Sequence, residues 1–207
     1  QLCRNHYGPA PEGGQHDSLM LDRSRLVSHL QVFPRQTIPL GSLRPAAVLV
    51  PLFQRNGADH LLFTERTAHL EHHAGEISFP GGGHDAKDDD LTVTALRETE
   101  EELGIPRNKV DLLGRLDDFY SIHGYHVSPY IGVIPSPDNL QHDPFEIAGT
   151  FEAPLDYFRN PAIHRIEDWR HRGHIHRVDF YQFEEHVIWG LTAAILRQFL
   201  EATADLL

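Results

Sequence analysis

The 207 residues contain one cysteine, Cys3, and one methionine, Met20. A single cysteine excludes an internal disulfide and suits a reducing compartment. No apolar run approaches the ~20 residues of a membrane-spanning helix, and no signal-peptide core opens the chain. Cationic side chains are scarce: 18 Lys and Arg stand against 30 Asp and Glu, a formal net charge of −12. So acidic a chain argues against a nucleic-acid backbone as partner, yet permits a small anionic substrate held through a metal. The 16 histidines fall into no HExxH or zinc-finger spacing and read mainly as surface residues. The DAKDDD run is no EF-hand loop, since its sixth position is Asp90 and its twelfth Leu96. Neither a repeat nor a second domain is visible. Residues 19–207 are expected to form one domain. Residues 1–18, rich in Gly, Pro and polar side chains, are expected to be loosely attached, disordered or foreign to the natural protein.

What is present is concentrated in residues 79–105, FPGGGHDAKDDDLTVTALRETEEELGI. Asp88, Asp89 and Asp90 stand where an N-cap and an acidic first helical turn belong. Gly104 occupies the place of a terminating glycine, and Pro106 forbids continuation. Thr92, Ala95, Leu96, Thr99 and Leu103 recur at core-facing spacing, which puts Glu98, Glu101 and Glu102 on the opposite face. Carboxylates so close repel one another. Arg97 can offset Glu101 at i+4, and Mg²⁺ or Mn²⁺, which favour hard oxygen ligands, could offset the rest. The plain alternative is a solvated acidic helix face. Against it stand Gly81, Gly82 and Gly83 behind Pro80, which let backbone approach the carboxylates closely.

Around this stretch the chain mixes both kinds of secondary structure. Leu21–Phe33 reads as a short amphipathic helix ended by Pro34, and 46–53 and 60–64 as strands joined by a turn at Asn56-Gly57. Residues 110–116, 127–134 and 177–184 read as further strands. His186–Leu207 reads as an amphipathic helix through Ile188, Leu191, Ile195 and Phe199, with Trp189 packing rather than reacting.

Arg97-Glu98-Thr99-Glu100-Glu101-Glu102-Leu103-Gly104-Ile105 resembles the second half of the Nudix box, Arg-Glu-U-x-Glu-Glu-x-Gly-U with U apolar, and departs from it mildly at Thr99. The first half of the box fits in two registers, Gly83 with Asp89 or Gly82 with Asp88, both with Asp in place of Glu. The resemblance implies an α+β Nudix fold, a mixed β-sheet sandwiched between α-helices. It implies that Glu98, Glu101, Glu102 and the Gly82 backbone hold Mg²⁺ or Mn²⁺, with Arg97 orienting a helix carboxylate. The general base is either Glu101 or Glu146 of a later loop, with Glu152 in reserve.

Ahead of the box, Leu61, Leu62, Thr64, Arg66, Leu70, Gly75, Phe79, Pro80, Gly81 and Gly82 resemble the signature of the coenzyme A diphosphatase branch. That branch implies cleavage of coenzyme A to 3′,5′-ADP and 4′-phosphopantetheine. Arg66, His73, Gly81, Gly82, Gly83 and Tyr125 would then contact substrate, with Tyr120 and His123 as weaker candidates. The bland reading of Arg66 is a salt bridge to a neighbouring acid, and that of the aromatic loop is packing. Two other functions stay open: a Nudix hydrolase of ADP-ribose, a dinucleotide or another nucleoside diphosphate derivative, and a binding module that kept the fold without catalysis. A cytoplasmic location is the expectation, with no membrane partner. Monomer and homodimer both stay open.

Overall fold

The computed structural model describes residues 20–68, 75–171 and 173–206. The N-terminal 1–18 segment, Leu70 and His73 therefore lie outside the described residues. Among the described residues no helix is long and apolar enough to cross a membrane.

The centre of the molecule is β1 (Arg44–Arg55), which pairs with neighbours on both sides. It runs antiparallel to β2 (Ala58–Arg66) in register Leu52↔Leu61. The turn between them places Asn56 (φ 53°) and Gly57 (φ 79°) in the left-handed region, as a two-residue hairpin requires. On its other side β1 runs parallel to β7 (Tyr125–Val133) from Arg44↔Tyr125 to Leu52↔Val133. The expected glycine loop is itself a strand: β4 (Gly81–Gly83) pairs with Ala46–Val48 of β1. β3 (Ile77–Ser78), β5 (Asp111–Arg115), β6 (Phe119–Tyr120) and β8 (Ile147–Pro154) complete a mixed eight-stranded sheet.

Alternation along β1 explains the layering. Leu49 and Phe53 join Leu62, Leu103 and Ile105 beneath α2 (Leu91–Leu103). Val50 and Leu52 join Leu26 and Leu30 of α1 (Arg23–Val32) and Leu196 and Phe199 of α3 (Gly190–Ala202) on the other face. Helices thus cover both faces of the sheet, as the expected αβα sandwich demands.

One expectation about the C-terminal third needs correction. His186–Trp189 is a strand, β11, and the helix begins only at Gly190, whose φ of 63° breaks the run. β11 closes a separate antiparallel sheet with β9 (His164–His171) and β10 (His174–Phe183). Neither β8 nor β9 announces itself: IAGTFEAP carries glycine and proline, and HRIEDWRH is polar. Long-range pairing makes them strands, overriding weak local preference.

Phe63 is fully buried, with Phe79 and Phe151 stacked at 4.9 and 5.1 Å and Phe158 edge-on at 5.7 Å. Phe63→Ala should cost about 3–5 kcal/mol through lost contacts and the cavity left behind, read as a lowered urea midpoint.

Candidate active site

Capping sets where α2 begins and ends. Asp90 is the N-cap, its side chain accepting from the Val93 N–H at 2.9 Å. Gly104 ends the helix at φ 69°, its N–H donating to the Glu100 carbonyl. That phase buries Thr94, Ala95, Thr99, Glu102 and Leu103. The expectation is therefore wrong for Thr92 and Leu96, which are only half-buried. It is also wrong for Glu102, which lies on the buried side, wedged between helix and β4, rather than on an outer face. The three glutamates grade from buried Glu102 through half-buried Glu98 to exposed Glu101.

Glycine is what permits the wedge. A Cβ on Gly82 would lie 2.5 Å from the Glu98 carboxyl carbon, and one on Gly81 would lie 2.4 Å from the Ala47 carbonyl oxygen. The Gly81 N–H donates to Glu102 at 3.2 Å. Gly83 lies against the Tyr125 ring, on which the Arg44 guanidinium rests 4.1 Å from the centroid.

Arg97 organises the carboxylates. It donates to Glu98 at 2.8 Å, to Glu101 at 2.9 Å and to the Gly83 carbonyl at 3.0 Å. Its other edge meets buried Asp88 at 3.0 Å through both Nε and Nη2. Asp88 also accepts from the Thr94 hydroxyl and the Asp85 N–H. Arg97 holds the Asp88 carboxyl far below its ordinary range. Of the two sequence registers, the one built on Gly82 and Asp88 makes this contact, while Asp89 stays exposed.

Glu102 has weaker compensation. Arg66 approaches it only to 3.8 Å, and the Arg66 Nε is buried without a hydrogen-bond partner. Burial pushes the Glu102 carboxyl up to about 8, offset in part by Arg66 and reinforced by repulsion from Glu98 and Glu146. Burial likewise raises Glu98, against the pull of Arg97. Here four carboxylates share too little cationic charge.

Glu146 reaches this cluster from far along the chain. The Asp143 N–H donates to the Glu102 carbonyl at 3.1 Å, and the Thr67 N–H donates to the Glu146 carbonyl at 2.9 Å. Thr67 also donates through its hydroxyl to the Phe145 carbonyl. Sequence reading missed Thr67, Asp143 and Thr94, because their partners are backbone groups or distant residues with no local signature. Glu152 does not belong to the site: it is held by Arg55 at 2.7 Å, with Asp138 on the same guanidinium. Tyr120 ends β6 and His123 lies in the turn that follows, both exposed and ahead of Tyr125.

As they stand, the carboxylates are turned toward Arg97 and Arg66, and among the described residues no three His, Cys, Asp or Glu side chains converge as a metal cage. The donor chemistry nevertheless fits a hard divalent cation. Crowded carboxylate oxygens are such an ion's preferred ligands, and a cation would offset the burial, and with it the smaller mutual repulsion, that raise Glu98 and Glu102.

Residues 43–186 match the NUDIX domain family model. A protein of Photorhabdus laumondii subsp. laumondii named "Uncharacterized Nudix hydrolase NudL" is 44% identical over 158 residues, which are 76% of this chain and 84% of that protein. A protein of the same name from Yersinia pestis (strain Pestoides F) is 42% identical over 158 residues, 76% of this chain and 79% of its own. Among solved structures, a Nudix hydrolase from M. smegmatis, RenU, superposes with a TM-score of 0.53 at 19% identity, covering 79% of this chain and 88% of that one. A MutT/nudix family protein from Enterococcus faecalis gives 0.51 at 16% identity, covering 86% and 67%. At such identities these two structures speak for the fold alone.

Two substitutions separate the roles within the site. Asp88→Ala removes the buried carboxylate from Arg97 but leaves it Glu98, Glu101 and the Gly83 carbonyl, so it should cost about 1.5–3 kcal/mol in guanidinium denaturation, the scale of a lost hydrogen bond to a charged group. Gly82→Ala displaces only the flexible end of Glu98, so the protein should keep its denaturation midpoint. If Glu98 is a ligand of the expected divalent cation, affinity for Mn²⁺, measured by titration calorimetry, should fall about tenfold or more, the scale of a disturbed metal ligand.

Proposed function

The chain belongs to the Nudix family, and from that premise we propose that this Nudix hydrolase is a divalent-metal-dependent coenzyme A diphosphatase. It cleaves the diphosphate of coenzyme A and its derivatives to 3′,5′-ADP and 4′-phosphopantetheine. The observation that carries the substrate is Arg66. It is part of the Leu61–Gly82 signature ahead of the box, and its guanidinium stands 3.8 Å from Glu102 with Nε lacking an acceptor. A cation so placed, with donors to spare, suits a substrate phosphate oxygen.

Glu98, Glu101 and Glu102, with the Gly82 backbone, are the ligands of Mg²⁺ or Mn²⁺ in this reading. Such an ion neutralises phosphoryl charge and lowers the pKa of a bound water. Arg97 keeps Glu98 and Glu101 in orientation and does not touch substrate. The bare backbone of Gly81, Gly82 and Gly83 lets phosphate lie close to the helix, and Tyr125 closes the Gly83 side. Water oxygen attacks one phosphorus, a carboxylate takes the water proton, and the bridging P–O bond breaks with its electrons leaving on the second phosphate. That carboxylate is Glu101 or Glu146. Glu101 is exposed but shared with Arg97, whereas Glu146 is exposed on a loop tied to Thr67 and the end of α2.

The test is turnover of coenzyme A and, separately, ADP-ribose with Mg²⁺, Mn²⁺ or EDTA, products being identified by mass spectrometry. We expect 3′,5′-ADP and 4′-phosphopantetheine, abolished by EDTA. The Gln variant at the true base, Glu101→Gln or Glu146→Gln, should lose about 10²–10⁴ in kcat. Cleavage of ADP-ribose without coenzyme A would sink the substrate assignment.

A further inference from the structure

Glu146 differs from the other carboxylates of the site in how it is held. Glu98 and Glu101 accept from Arg97, and Glu102 accepts from the Gly81 N–H. Among the described residues the Glu146 carboxylate makes no hydrogen bond and no ion pair. Its charge nevertheless bears on Glu98 and Glu102. A carboxylate left free beside three engaged ones has lone pairs to spare for a proton, but nothing at its own end fixes it. Its place is set by its backbone.

That backbone is a turn tied at both ends. The Glu146 N–H donates to the Asp143 carbonyl at 3.1 Å, and Pro144 supplies the fixed φ that the second position of such a turn favours. The Asp143 side chain accepts from the Phe145 N–H at 2.8 Å, which closes the turn from inside. At the front, the Asp143 N–H rests on the Glu102 carbonyl at 3.1 Å. At the back, buried Thr67 clamps two successive carbonyls of exposed residues. Its hydroxyl donates to Phe145 at 2.8 Å and its N–H to Glu146 at 2.9 Å. A register slip brings the second clamp about. β2 pairs Glu65 with Gly149 but Arg66 with Ile147, so Ala148 is skipped. Thr67 therefore meets Glu146, where unbroken pairing would offer it Ile147.

We propose that Thr67 is a positioning residue for the hydrolysis: its hydroxyl, through the Phe145 carbonyl, holds Glu146 facing Glu98 and Glu102. There the water proton passes to the Glu146 carboxylate as the water oxygen bonds to phosphorus. The proposal rests on the reading of Glu146, rather than Glu101, as the base, and Thr67 acts only through it.

Two variants isolate the hydroxyl. Thr67→Val keeps the branched side chain and the N–H bond to Glu146, whereas Thr67→Ser keeps the hydroxyl. In Thr67→Val the kcat for coenzyme A should fall about tenfold, as for a catalytic group displaced by part of an ångström, with KM changed less than about twofold. Thr67→Ser should stay within about threefold of the parent. The deciding measurement is the double variant. A Glu146→Gln protein has no base to place, so adding Thr67→Val should lower its kcat by less than about twofold more. Amide hydrogen exchange over residues 143–147 should quicken in Thr67→Val while α2 keeps its protection, a readout that needs no turnover. A Thr67→Val protein with parental kcat overturns the proposal, as does a loss repeated in full in the Glu146→Gln background. Glu146 remains the base in either case if Glu146→Gln alone is slow. A Glu146→Gln protein at the parental rate removes both the base and the role of Thr67, yet leaves coenzyme A as substrate. Should the parent leave coenzyme A intact, the substrate assignment fails, and unchanged exchange over 143–147 in Thr67→Val overturns the clamp independently.

Discussion

Everything at the candidate site depends on Arg97. One guanidinium meets Asp88, Glu98, Glu101 and the Gly83 carbonyl, so it joins the chain before α2, the helix itself and β4. Its position is over-determined. Asp88 needs it because Arg97 meets the buried carboxylate at 3.0 Å while His84 comes only to 3.9 Å, and α2 needs it because glutamates at i and i+3 would otherwise repel. The bond is ionic and local, but its effect is architectural: it sets the distance between a helix and a strand that carries no side chains.

That bare strand is the second constraint. β1 is buried on both faces, so α2 can approach the sheet closely only where its neighbour β4 is stripped to backbone. The approach brings Glu102 into a place where its charge is poorly solvated. The Gly81 N–H and the distant Arg66 repay only part of that loss. Burial and crowding therefore leave the site short of positive charge, and this deficit fits it to a divalent cation and a phosphorylated substrate better than any single ligand distance does.

Much of this was legible from the chain alone. The helix from Leu91 to Leu103 and its stop at Gly104 follow from caps and a 3.6-residue period, which are local properties. The central hairpin follows from two apolar runs and Asn56-Gly57. Tertiary structure alone decided the rest. It selected Asp88 over Asp89, because only Asp88 is brought to Arg97, and it turned Glu102 inward, because the depth of burial depends on what packs above. It drew Glu146 toward the helix through Thr67 and Asp143 while spending Glu152 on Arg55. It also made a strand of polar β9, and at His186–Trp189 it sided with the strand preference of Val187, Ile188 and Trp189 against the helical reading. Local periodicity determines which face a residue presents. Which partner meets that face is settled only when segments tens of residues apart close on one another.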